Sequence, residues 1–123
     1  MHTRHLKYGT PIQECVDAFP KELSLDAVGL WQVVNTLKRG YELQEPDLSF
    51  FVRRGIEALL KAGAVPVIGS SEDKMWHRAS GFKGEEANVV DQVLHYLQSL
   101  DREPTVGDLW FALPQFVAGT SDA

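Results

Sequence analysis

Residues 46–69, PDLSFFVRRGIEALLKAGAVPVIG, decide the fold class. Pro46 and Asp47 suit the opening of a helix, where a proline loses nothing by lacking an N–H and an acid complements the helix dipole. Leu48, Phe51, Val52, Gly55, Ile56, Leu59 and Ala62 then recur at three- and four-residue spacing, which puts them on one apolar helical face. Gly63 ends the helix. The chain then changes character. Ala64-Val65-Pro66-Val67-Ile68 is short and β-rich, and Pro66 cannot donate to a ladder, so an edge strand or a strand with one unpaired side is expected. Helix and strand together predict an α+β domain.

Working outward, Thr10-Pro11-Ile12-Gln13 reads as a helix start, with Thr10 as cap and Pro11 in the first position. Ile12, Cys15, Val16 and Phe19 fall on one side, and Pro20 is expected to stop this short helix. A second helix is predicted from Ser24 as N-cap to about Arg39, with a stripe of Ala27, Leu30, Val34, Leu37 and Tyr41. After the central stretch, Gly69–Asp73 is a turn, and Met75-Trp76-His77 is expected to pair back as a hairpin strand. A fourth helix is predicted over about Glu85–Leu100, and Leu109–Leu113 is a last strand candidate closed by Pro114. The reading is a helix-rich single domain, with three main helices packed against a two- or three-stranded sheet from residues near 64–68, 74–78 and 109–113. Leu30, Val34, Leu37, Leu48, Val52, Leu59, Val90, Leu94 and Leu97 are the expected core. Residues 1–9 and 117–123 are expected to be flexible ends.

The 123 residues suit one domain, and 44% apolar with 24% charged residues is ordinary for a globular chain. One cysteine, Cys15, excludes an intramolecular disulfide and fits a reducing compartment. No secretory h-region and no apolar run of membrane-spanning length occur, so a cytoplasmic protein is expected. The formal net charge is −5. Nucleic-acid binding relies on Lys and Arg against phosphate, so an acidic domain starts at a disadvantage there; it is better matched to a basic protein.

The chemistry-bearing residues are sparse. His2 and His5 share an HxxH spacing in a terminal segment, without the further ligands a metal site needs. His77 and His95 flank no metal motif, and His95 is most simply an i,i+4 surface partner of Asp91. Cys15 lies on an apolar helix side and reads as a small core residue. Ser70 and Ser71 follow Gly69 without the nucleophile-elbow pattern. Glu72 with Asp73, and Glu85 with Glu86, are sequence neighbours that do not face one another as an acid–base pair. Gly81 and Gly84 precede a helix, but Glu85 and Glu86 in its first turn would repel phosphate. No cofactor, no metal and no catalysis are therefore expected.

One candidate surface remains. With Leu48 at the centre of the buried face of the 46–62 helix, 100° per residue places Phe50 at about 200°, away from the core. Its neighbours there are Arg53, Arg54, Glu57 and Lys61. An aromatic on a charged face has two readings: another segment packs over it, or it anchors a partner inside a polar rim. Glu42, Glu45 and Asp47 at the same end would steer a basic partner. Helices followed by a hairpin also allow a winged-helix DNA-binding regulator, with this helix as recognition helix. Glu57 on that face, Glu72 and Asp73 in the hairpin, and the overall acidity argue against it.

The stretches LLKAGAVPVIG (59–69) and GDLWFALP (107–114), with the helices around them, resemble small cytosolic immunity proteins of bacterial toxin–immunity systems of the contact-dependent or secreted polymorphic kind. The resemblance covers about half of the chain. It implies a non-catalytic inhibitor that binds and blocks a cognate toxin domain, and it carries over no catalytic residues.

Overall fold

The computed structural model describes residues 9–118. In chain order these are α1 (Ile12–Ala18), a 3-10 segment (Phe19–Ser24), β1 (Val28–Gly29), α2 (Leu30–Gly40), α3 (Asp47–Lys61), β2 (Val65–Gly69), β3 (Trp76–Arg78), α4 (Glu86–Ser99), β4 (Trp110–Ala112) and a final 3-10 turn (Pro114–Phe116). The architecture is α+β: four helices and a four-stranded antiparallel sheet in the order β1-β4-β2-β3.

The helix and turn of the central stretch fold as their pattern predicts: α3 ends at Lys61, Gly63 takes a left-handed φ of 101°, and β2 follows at once. The expected edge strand is corrected: β2 lies inside the sheet, paired with β4 on one side and β3 on the other, with Pro66 opposite Phe111 and its carbonyl accepting from the Ala79 N–H. α3 is the hub of the helical layer and packs against α1, α2, α4 and the first 3-10 segment. Gly55 makes the close approach possible: a Cβ there would stand 3.0 Å from Val33 Cγ1 and 3.3 Å from the Phe19 ring. Most of the expected core is buried, including Leu30, Val34, Leu37, Val52, Leu59 and Val90, while Leu48, Leu94 and Leu97 pack against it half-buried.

Three local expectations are amended. The first α-helix ends at Ala18, ahead of Pro20 as expected, but the chain keeps turning through a 3-10 segment, Phe19–Ser24, that buries Phe19 and Leu23. Ser24 does not cap α2, which starts six residues later at Leu30. The interval holds β1, where Val28 and Gly29 pair with Phe111 and Trp110. The apolar stripe reads straight through this break because Ala27 is buried too, but in a different layer. The Gln32 side-chain carbonyl accepts from the Gly29 N–H at 2.6 Å, and Leu30 N–H donates to Leu109 O at 3.0 Å, so the sheet and the helix start lock one another. Finally, the chain does not fray from residue 117: Val117 is buried, and Ala118 N–H donates to Trp76 O at 2.8 Å along the outer edge of β3. The remaining residues of both predicted flexible ends, 1–8 and 119–123, lie outside the described residues, and Gly9 is exposed.

Strand alternation sorts the sheet into two faces. Val28 and Phe111 turn toward the helices and join the main core. Ala27, Val67, Ala112 and Val117 form a second, smaller cluster on the other face, with Val65, Trp76 and Trp110 packed around it. No helix among the described residues is long and apolar enough to cross a membrane.

Candidate partner-binding surface

The first turn of α3 is shaped by Glu45. Its carboxylate accepts from the Ser49 N–H at 2.9 Å and from the Ser49 hydroxyl at 2.7 Å, tying down a backbone donor that the helix leaves open. Glu45 therefore acts as a helix-start acceptor. Glu42, in a left-handed conformation with φ of 51°, and Asp47, the first residue of α3, are exposed and have no ion-pair partner among the described residues.

Phe50 follows one turn into the helix and is 54% exposed. Its ring meets buried Phe51 edge-on, at 4.9 Å between centroids and 88° between planes. The Arg54 guanidinium lies 5.7 Å from the Phe50 ring centre. Beside these rings is a shallow notch of about 400 Å³ walled by Ile12 and Gln13 of α1 and by Asp47, Phe50 and Phe51 of α3. Two rings and one isoleucine make it apolar; Asp47 is its single charged wall.

The predicted ring of charges around Phe50 divides in two. Arg53 reaches across to Asp91 of α4 at 2.6 Å and stands 3.9 Å from Glu57 on its own helix. Arg53 and Glu57 thus belong to the seam between α3 and α4, while Phe50, Arg54 and Asp47 share the α1 side. This pairing also removes the expected Asp91–His95 contact: Asp91 spends its carboxylate on Arg53 instead.

Two further features stand apart from that surface. The first is a row of indoles on the outer sheet face: Trp31 meets Trp110 edge-on at 6.5 Å, and Trp110 meets Trp76 at 5.0 Å. Trp76 and Trp110 cover the smaller cluster on the sheet's far side, and the three rings are each partly exposed. Trp110 donates its indole N–H to Val106 O at 2.9 Å, whereas the buried Trp31 Nε1 has no partner among the described residues. Trp31 could not be assigned to this row from sequence because it fell inside a helix predicted to start earlier.

The second is a cleft of about 770 Å³ between α4 and the hairpin, with Ile68, Phe82, Tyr96 and Leu109 among its walls and Asp91, His95, Ser80 and Ser99 at its polar positions. Most of those polar groups are already committed. Asp91 holds Arg53, the Ser99 hydroxyl donates to Tyr96 O at 2.7 Å, and Tyr96 OH contacts Asp108 at 3.4 Å. Gln92 clamps the loop wall, accepting from Lys83 N–H and donating to Lys83 O. No hydrogen bond joins Ser80 or Ser99 to His95 among the described residues.

The other sequence candidates separate. Cys15 sits beside Tyr41, its thiol pKa raised by burial and partly drawn back by a hydrogen bond with the phenol. His77 pairs with Asp73 at 2.8 Å. Among the described residues no group of three or more His, Cys, Asp or Glu converges as a metal site would require. His2 and His5 lie outside the described residues.

Fold and surface together define a helix-rich α+β domain whose exposed Phe50 stands beside an apolar notch with one acidic wall. No family model matches the chain, nor does any curated protein or solved structure.

Proposed function

We propose that this chain is a non-catalytic, protein-binding inhibitor of the immunity type, which acts in the bacterial cytoplasm by binding and blocking a cognate toxin domain. The observation that carries this reading is Phe50. A large aromatic ring that is 54% exposed on a helix, supported edge-on by a buried ring, is already held in place for binding. Glu42 and Asp47, without ion-pair partners among the described residues, and a net charge of −5 favour a basic partner, whose approach they would accelerate. The rival reading, a winged-helix DNA binder, requires α3 to offer a free face to the major groove. The outer face of α3 instead carries Asp47 and Glu57 among its cations, and Arg53 there is engaged by Asp91.

The test is a growth assay with the C-terminal domain encoded by the gene immediately upstream. Co-expression of this chain restores growth if the reading holds, and purified protein binds that domain directly. A neighbouring product that is not toxic, or toxicity that persists despite folded inhibitor, contradicts it.

A further inference from the structure

We propose that the notch between α1 and α3 is the receptor for one lysine or arginine side chain of the partner. The proposal rests on the protein-binding reading above and adds the chemistry of the residue that enters. The walls make the case. Ile12, Phe50 and Phe51 are apolar, and Gln13 is neutral. Asp47 is the only charged residue that lines the cavity, and its carboxylate has no ion-pair partner among the described residues. Lysine and arginine carry an aliphatic stem with a cationic head, so they bury the stem on apolar walls and place the charge on the acid. A norleucine-like side chain would gain no ion pair with the solvated Asp47 carboxylate, and an acidic one would meet like charge. A volume of about 400 Å³ accepts one such side chain.

The neighbouring charges are of both signs. Glu45, two residues before Asp47, is held by Ser49 at the same helix start. Arg54 lies over the Phe50 ring but is not a wall of the notch. Its position also demonstrates that this ring tolerates a guanidinium at 5.7 Å.

The test needs no knowledge of the partner. Acetyl-Gly-Lys-Gly-amide and its arginine, norleucine and glutamate counterparts are titrated into the isotope-labelled protein and followed by amide chemical shifts. The lysine and arginine peptides are expected to bind weakly, on the order of millimolar, with shifts centred on Ile12, Asp47, Phe50 and Phe51. The norleucine peptide should bind about five-fold more weakly, the share an exposed ion pair contributes. Asp47→Asn should erase that preference while leaving the remaining spectrum unchanged. Equal binding of lysine and norleucine, shifts centred elsewhere, or no shifts with any basic peptide overturns the proposal. The lysine-to-norleucine comparison uses the unaltered protein, so it decides even if Asp47→Asn disturbs the helix start. A failed notch with successful toxin neutralisation rejects only this inference; failed neutralisation rejects the functional reading itself.

Discussion

The Arg53 guanidinium on α3 and the Asp91 carboxylate on α4 meet at 2.6 Å. This contact makes a seam of what the helical wheel presents as an outer face, and it separates Arg53 from Phe50. Both side chains remain well exposed, so the pair is screened by solvent and salt. Arg53→Ala should therefore lower unfolding free energy by less than about 1 kcal/mol, and less again in high salt. Denaturant melts at two salt concentrations check this. A loss of several kcal/mol would mean that the seam is a structural keystone rather than a surface contact.

Leu59 is fully buried in the main cluster, on the face of α3 turned to the core. Leu59→Ala should cost roughly 2–5 kcal/mol through lost burial and the cavity left behind. An unchanged melting curve would contradict the assigned core.

These two sites illustrate what the sequence made legible. The period of α3 is strong and uninterrupted, Gly63 closes it, and the strand begins immediately, so helix, turn and strand followed from local chemistry, whereas the place of β2 inside the sheet, against the edge that Pro66 suggested, is set by its two partner strands. β1 did not follow from local chemistry either. A two-residue strand has no period of its own, and it exists because Phe111 and Trp110 pair with Val28 and Gly29 from far along the chain. Ala27 then mimicked a helix stripe although it serves the other sheet face. At the surface, the exposure of Phe50 followed from helical geometry, whereas the notch beside it depends on where Ile12 of α1 comes to rest, a tertiary fact. The Arg53–Asp91 bond is likewise invisible to a wheel drawn for one helix.

Asp108 should give the domain an acid-sensitive loop. Its carboxylate receives two guanidinium bonds from Arg102, at 2.7 and 3.0 Å, and the Thr105 N–H at 2.7 Å. These donors, the Arg102 bond foremost, hold its pKa well below the usual carboxylate range. A lowered folded-state pKa stabilises the fold above the unfolded value of about 3.9, and that contribution is lost as pH falls below it. Asp108→Asn should lower stability at neutral pH and flatten the decline below about pH 4. Identical acid limbs for the two proteins would refute this role.

The indole row predicts an intermediate fluorescence response. Trp31, Trp76 and Trp110 are each partly exposed, and Trp76 and Trp110 pack against the cluster that holds Val117. Iodide should quench part of the emission, and Val117→Asp should increase the quenched share. Complete quenching in the unaltered protein, or none at all, would contradict the packing of this face.

The most direct measurement of the central claim is the affinity of the unaltered protein and of Phe50→Ala for the domain encoded upstream, taken together with their melting temperatures. The account predicts a loss of about 30-fold in affinity, equivalent to the roughly 2 kcal/mol of an interface hot spot. It also predicts an almost unchanged melting temperature, because 54% of the side chain is already in water. Unaltered affinity would contradict the account, as would a stability loss of about 3 kcal/mol, the signature of a core phenylalanine.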